Sequence, residues 1–263
     1  EDVSSPKSSS GPAITGQEDI PSRETWTNQV GAAVEHIEDG DLRKVVLAGA
    51  RRLQLTEPLS VMAVLEELGS TYPECIRFAI APDTPDAGTF FGATPERLVT
   101  LSGQTVETTA LAGSIGRGET RPEDEWLAEQ LLDSDKNNHE HALVVEAIQD
   151  QLDSLQATVE TGERSVRQLD SVQHLQTPIR ATVPQNTHVL SVVERLHPTP
   201  AVGGLPPGNA LRAIRDTEAF DRGYYAAPIG WFDASGDGEF AVGIRSALAD
   251  HTVLTLFAGA GIV

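Results

Sequence analysis

The sequence has 263 residues, of which 39% are hydrophobic, so the chain can bury a substantial core as one large domain or two small ones. Acidic residues outnumber basic residues by 39 to 19, and the resulting net charge of −20 repels nucleic acid phosphates and anionic lipids alike. We therefore expect neither a nucleic acid nor a membrane as a partner.

The use of cysteine and lysine indicates the compartment. The single cysteine, Cys75, excludes an intramolecular disulfide and fits a reducing environment. No apolar run approaches the roughly 20 residues that a membrane span needs, and no signal-peptide pattern is present. We expect a cytoplasmic monomer.

Only three basic residues are lysines, and with the acidic excess this is typical of a halophile, although an ordinary acidic protein can share that balance.

The first half of the chain alternates between helical and strand-like patterns. Residues 1–24 are rich in Ser, Pro, Gly and charge, which predicts a disordered linker or tail before a catalytic domain over residues 25–263. A helical period from Thr25 to Ile37 precedes an apolar strand over residues 44–50. A second helix and three antiparallel strands then follow, over residues 58–73, 75–83, 89–101 and 105–117.

The second half predicts one long helix over residues 123–155, a strand over residues 188–196 and a helix over residues 209–218. Strand-like segments with turn residues between them continue to the last residue. Helices grouped among antiparallel strands indicate an α+β fold in which helices flank antiparallel sheets.

The stretch SDKNNHEHALVVEAI places Glu140 between two histidines at the start of an apolar helix. With about 100° between successive residues, His139 and His141 lie roughly 200° apart and cannot share one metal. Glu140 points along the apolar stripe instead, where a carboxylate must be paired or hold a cation. The residues alone leave two alternatives, a metal ligand or an ion pair with Lys136 four residues earlier.

Three other charged residues are candidates for chemistry. Lys44 stands at the mouth of a buried strand, where desolvation makes a lysine a general base, or where it simply reaches back to water. Glu96 follows a proline at a loop or strand start, a position suited to a general acid. Arg245 alternates with Val242 and Ala247 along a predicted strand, as a partner for a substrate carboxylate or for a cross-strand salt bridge.

Small residues mark three further segments. Residues 108–118 carry three glycines, so that backbone N–H groups can approach an anion, although the spacing is not that of a phosphate loop. Residues 196–206 form a Pro/Gly-constrained turn with His197, either a pocket wall or a simple loop. The final strand runs into two glycines whose backbone is free to meet a ligand.

Taken in order, the motifs KVVLAGA, FFGATPERLV, ALAGSIGRG, LLDSDKNNHEH, VQHLQTPIRA, LHPTPAVGGLP and LFAGAGIV resemble the chorismate-utilising enzymes. The resemblance is closest to the isochorismate synthases of menaquinone and siderophore biosynthesis. It implies an anthranilate synthase component I-like fold, chorismate as substrate and Mg²⁺ as cofactor.

The resemblance also implies a role for individual residues. Lys44 matches the base that activates water, Glu96 the acid that helps to expel the C4 hydroxyl, and Glu140 a magnesium ligand. The positions that match the substrate's surroundings in this family are Gly113, Ser114, His174, Arg245, Gly259 and Gly261.

Alternatives remain within and outside this family. Amination is disfavoured because the aminating relatives lack a lysine base at the position of Lys44, and aminodeoxychorismate synthases often carry a nucleophilic lysine where this chain has Ala112. A salicylate or anthranilate synthase-like enzyme is a further alternative within the family. The chain lacks the family's N-terminal portion and C-terminal tail, and Asn137 replaces a common acidic residue. These departures indicate a fragment of a longer polypeptide or a truncated, non-catalytic binding or assembly module.

Overall fold

The computed structural model describes residues 11–84, 87–169 and 172–263, which form two antiparallel sheets with helices packed against them. Seven strands of the described chain form the first sheet. In spatial order, six of them are β1 (Ile14–Ile20), β2 (Lys44–Leu55), β14 (Val253–Ile262), β13 (Ser246–Asp250), β4 (Thr89–Thr94) and β3 (Ile76–Ile80), and the short strand β10 (Gly204–Leu205) pairs with β2.

The second sheet also has seven strands within the described ranges. Their order is β11 (Pro228–Phe232), β12 (Gly238–Val242), β5 (Arg97–Ser102), β6 (Thr105–Gly116), β9 (Val172–Thr182) and β7 (Thr158–Thr161), and β8 (Ser165–Gln168) pairs with β9. The main core cluster joins residues of this sheet, such as Val99 and Val106, to Ala48 of β2. All strand pairs in both sheets are antiparallel, which confirms the predicted α+β class.

Six helices in the described chain cover the sheets: α1 (Arg23–Glu38), α2 (Val61–Thr71), α3 (Arg121–Asp133), α4 (Asp135–Asp153), α5 (Val189–Leu196) and α6 (Pro207–Thr217). Helix α4 packs on β6 and β9, with Val144, Ile148 and Leu152 buried at helical spacing. Among the described residues, no helix is long and apolar enough to cross a membrane.

Several predicted elements differ from the structure. The strand predicted over residues 89–101 is two strands in different sheets, β4 and β5, because Pro95 between them has no N–H for a continuous strand ladder. The predicted single helix over residues 123–155 is two helices, because Ser134 leaves the helical conformation and its hydroxyl accepts a hydrogen bond from the Asn137 N–H as the N-cap of α4. Residues 188–196 were predicted as a strand but form α5. Their β-branched residues favour a strand, whereas the spacing of the buried residues Val189, Val192, Val193 and Leu196 is helical.

The linker predicted for residues 1–24 is wrong for Ile14–Ile20, which form the edge strand β1. This strand buries little apolar surface, so its composition resembles that of a linker. It is held by backbone pairing with β2 and by exposed cross-strand ion pairs such as Asp19–Arg51. Residues 1–10 of the predicted linker lie outside the described residues.

Candidate active site

A cavity of about 560 Å³ brings together eight of the nine predicted site residues, although they come from seven separate segments of the chain. The eight that line it are Lys44, Glu96, Gly113, Ser114, Glu140, His174, Arg245 and Gly261. The ninth, Gly259, is not among the lining residues. A Cβ built on it would lie 2.8 Å from the Tyr225 hydroxyl, so close packing against that ring requires a glycine there.

An ion pair crosses the cavity floor between the first residue of β2 and the second turn of α4. Lys44 Nζ donates a hydrogen bond to Glu140 Oε1 at 2.7 Å, and Lys44 is only 8% exposed. The alternative pairing of Glu140 with Lys136 is therefore wrong for this structure. Desolvating two charges is costly, so a buried pair of this kind is weak evidence for stability.

Glu96 lies in the short connection between β4 and β5, with its backbone tied on both sides. Its N–H donates to Thr94 Oγ1 at 3.2 Å, and its carbonyl accepts from the Val242 N–H at 2.9 Å. Burial raises the pKa of its carboxyl group to about 7, although the positive charges of Lys44 and Arg167 oppose that rise. The Glu96 carboxyl group therefore ionises closer to neutral pH than an ordinary glutamate, which suits proton donation.

The glycine-rich end of β6 forms one wall through a bulge. Gly113 has φ +75°, and the pairing with β9 shifts between Ala112 and Ser114. A side chain at Gly113 would also crowd Asn137, whose Cβ would lie 3.1 Å from the added atom. The bulge places the Ser114 hydroxyl 2.7 Å from His174 Nδ1, in a hydrogen bond that fixes the imidazole. Burial lowers the pKa of His174, and the charge of Arg245 lowers it further.

Arg245 does not lie on a strand, contrary to the sequence-based prediction. It occupies the bend between β12 and β13 with φ +50°, and its carbonyl accepts a hydrogen bond from the Ala93 N–H at 3.2 Å. The alternation of apolar residues around it continues across the bend, which is why the pattern resembled one strand. The exposed side chain still reaches the cavity.

The two histidines beside Glu140 do not form a metal site. His141 is 3% exposed, with Nδ1 3.2 Å from the Ala112 carbonyl oxygen and Nε2 2.8 Å from Thr177 Oγ1. Because a carbonyl oxygen only accepts, Nδ1 carries the proton and Nε2 accepts from the threonine hydroxyl. His139 is exposed. His141 thus joins α4 to β6 and β9 next to the bulge.

Glu140 is the single protein carboxylate that could bind a magnesium ion at this end of the described cavity lining. Within residues 11–84, 87–169 and 172–263, no cluster of three or more His, Cys, Asp or Glu side chains could hold a metal. Glu96 and Glu140 are the two carboxylates among the described residues lining the cavity. Mg²⁺ is commonly held by one or two carboxylates, with water and substrate oxygens completing its shell, so Glu140 suits that mode of binding.

Two cationic residues of the cavity were missed by the sequence analysis, Arg167 on β8 and Lys136 as a lining residue. Arg167 pairs opposite His174 in the β8–β9 ladder, a neighbour relation that a sequence pattern does not reveal. His197, by contrast, lines a different cavity of about 630 Å³, where burial lowers its pKa to about 4.

Comparison with known proteins agrees with this architecture. A family model described as chorismate binding enzyme matches residues 1–263, and the chain belongs to that family. It is 43% identical over 259 residues to the salicylate biosynthesis isochorismate synthase of Pseudomonas aeruginosa, a match that covers 97% of this chain and 53% of that protein. The chain spans about half the length of the first curated relatives that it matches.

Solved structures give the same result for the fold. The menaquinone-specific isochorismate synthase MenF of Escherichia coli superimposes with a TM-score of 0.88 at 32% identity, over 96% of this chain and 58% of that one. Anthranilate synthase component I of Streptococcus pneumoniae superimposes with a TM-score of 0.84 at 24% identity, over 96% of this chain and 56% of that one. The predicted anthranilate synthase component I-like fold is thereby confirmed.

Proposed function

We propose that this chain carries the catalytic centre of an isochorismate synthase, which converts chorismate to isochorismate. The observation that carries the proposal is the placement of Lys44 and Glu96, a base and an acid from distant segments, on one cavity. The relatives whose names specify isochorismate synthase, at up to 43% identity, support the same reaction.

The proposed reaction exchanges one hydroxyl group for another. Lys44, as the neutral amine, takes a proton from water while the water oxygen bonds to C2 of the ring. The ring double bonds shift, the C4–O bond breaks, and the departing hydroxide takes the proton of Glu96 and leaves as water. Lys44 must lose its extra proton before it can act as a base, but the neutral amine can still donate a hydrogen bond to Glu140, and this contact holds the base in place.

The remaining cavity residues suit the two carboxylates of chorismate. The guanidinium of Arg245 is a fork that matches a carboxylate, and the bulge at Gly113 exposes backbone groups where a side chain would block an anion. Ser114 and His174 form a hydrogen-bonded pair on the same wall. These contacts exist in the ground state, so their loss would weaken chorismate binding more than it slows the bound reaction.

A product assay tests the proposal directly. The full-length polypeptide would be incubated with chorismate and the products separated by chromatography, with and without ammonia. We expect isochorismate, and a loss of turnover by at least roughly a hundredfold in both Lys44→Ala and Glu96→Gln, with unchanged circular dichroism. Arg43→Ala, a charge-removing change at the neighbouring position, is the matched control. Salicylate or anthranilate as sole product, or wild-type rates in either variant, would refute the assignment.

We also propose Glu140 as one ligand of the magnesium ion that the family resemblance implies. Bound there, the ion would neutralise a substrate carboxylate and polarise the conjugated ring. Calorimetry can compare chorismate binding by the wild type, Glu140→Gln and the control Glu146→Gln, an exposed residue of the same helix, with and without Mg²⁺. Magnesium should strengthen binding only in the wild type and the control. Equal binding by the wild type without metal would overturn this role.

A further inference from the structure

Arg167 occupies a distinctive position between two cavities. Its partly buried side chain lines the cavity that contains Lys44 and Glu96, which we call the reaction cavity, and also an adjoining cavity of about 610 Å³. The two cavities also share Pro95 and Leu111. Pro95 directly precedes Glu96, so Arg167 stands beside the segment that carries the acid. On β8 it lies opposite His174 of β9.

The charge of Arg167 is not compensated by an ion pair with any described residue. Two other arginines of the adjoining cavity are paired, Arg97 with Glu239 at 2.7 Å and Arg180 with Glu107. Lys44, the other cation near the acid, has its partner in Glu140. No carboxylate of the described chain lies within 4.0 Å of the Arg167 guanidinium, although the chain carries 39 acidic residues. An uncompensated charge in a partly buried site acts strongly on nearby titratable groups.

We propose that Arg167 is a positioning residue whose positive charge, together with that of Lys44, sets the acid strength of Glu96. The use of that acid strength in turnover rests on the proposed isochorismate synthase reaction. Burial alone would raise the pKa of Glu96 and make it a weaker acid. A cation beside it lowers that pKa again, towards the neutral pH at which proton donation is most effective. The pKa of Glu96, about 7, is consistent with this balance of burial against the charges of Lys44 and Arg167.

The other groups around Glu96 do not replace this charge. Burial raises the pKa of Tyr225 to about 12, so its hydroxyl stays neutral, and burial lowers the pKa of His174, which favours the uncharged imidazole. Arg245 lines the same cavity from the bend before β13, but the positive charges that lower the pKa of Glu96 are those of Lys44 and Arg167. On the α4 side stand Lys136 and Glu140, which carry opposite charges.

The test is a direct titration of Glu96 by NMR, with ¹³C-labelled glutamate in magnesium-free buffer and the signal assigned by its loss in Glu96→Gln. We expect Arg167→Gln, which removes the charge, to raise the pKa of Glu96 by roughly one unit. Arg167→Lys should restore the wild-type value, because it keeps the charge. Arg164→Gln removes an exposed arginine three residues away and should change nothing. An unchanged pKa in Arg167→Gln would overturn the proposal.

The pH dependence of turnover separates this role from plain substrate binding. Glu96 must be protonated to act as an acid, so activity falls as the pH rises through its pKa, and Arg167→Gln should move that alkaline limb to higher pH by the same amount. A raised KM with an unmoved limb would instead make Arg167 a substrate contact and refute the proposal. If the NMR shift is observed but chorismate is not converted, the proposed function fails while the role of Arg167 towards Glu96 stands.

Discussion

The raised pKa of Glu96 predicts a stability cost that can be measured without any substrate. An unfolded glutamate has a pKa near 4.5, whereas Glu96 in the folded chain has one of about 7. Between these two values the folded state binds more protons than the unfolded state, so the free energy of unfolding falls as the pH rises. Glu96→Gln removes this dependence, because the amide does not ionise.

The expected size follows from the shift. A difference of about 2.5 pKa units, at about 1.4 kcal/mol per unit, corresponds to about 3 kcal/mol once the pH is well above 7. Between pH 5 and pH 8 the advantage of Glu96→Gln over the wild type should grow by roughly 2–3 kcal/mol. Taking the difference in free energy of unfolding between the two proteins cancels the contribution of other titrating groups that behave alike in both.

Urea denaturation at pH 5, 6, 7 and 8 measures this difference. Glu239→Gln provides a matched control, since that carboxylate lies on β12 and is paired with Arg97 outside the reaction cavity. The control should show no comparable gain towards pH 8. If the advantage of Glu96→Gln were the same at pH 5 and pH 8, Glu96 would ionise as freely as an exposed carboxylate, and its assignment as the acid would lose its physical basis.

Four further predictions concern the site and the surface. Glu140→Gln should lower the free energy of unfolding by about 2 kcal/mol, because Lys44 stays buried without its charged partner. An unchanged midpoint of urea denaturation would contradict this prediction. Gly113→Ala should cost about 1–3 kcal/mol, because its φ is +75°, whereas Gly116→Ala, with open space around the new atom, should cost less. Thr177→Val should lower the free energy of unfolding by about 1–3 kcal/mol, and with it the thermal midpoint, because His141 Nε2 loses its hydrogen-bond partner. Thr177→Ser keeps the hydroxyl and should have little effect. Molar KCl should stabilise a chain of charge −20, because the Debye length falls to about 3 Å; greatest stability in dilute buffer would remove the halophile interpretation.

The sequence could predict which way a side chain points where the period of a single helix or strand determines that direction. The helical period of α4 placed Glu140 on the inward face and separated His139 from His141, and both features are present in the structure. The partner of Glu140 could not be predicted in the same way. Lys136 is the neighbour along the helix, but the carboxylate pairs with Lys44, 96 residues away in sequence. Long-range pairing depends on how β2 and α4 pack, which periodicity does not encode.

Elements were mispredicted where composition and packing disagree. The β-branched residues of α5 favour a strand locally, yet the core selects a helix because its buried positions follow a helical spacing. Strand β1 has the polar composition of a linker, since an edge strand needs backbone partners more than apolar contacts. Arg167 was missed for a related reason. Its short strand β8 lies at the cavity because it pairs with β9, which carries His174, and that pairing cannot be predicted from the sequence of β8.

The two carboxylates of the cavity differ in the way that a division of roles requires. Glu140 has the ammonium of Lys44 at 2.7 Å and lies on a helix that His141 anchors to both neighbouring strands, so its position is fixed beside a positive charge. Glu96 has no ion pair with the described residues and sits where burial favours its protonated form. One carboxylate therefore suits the binding of positive charge and the other the donation of a proton.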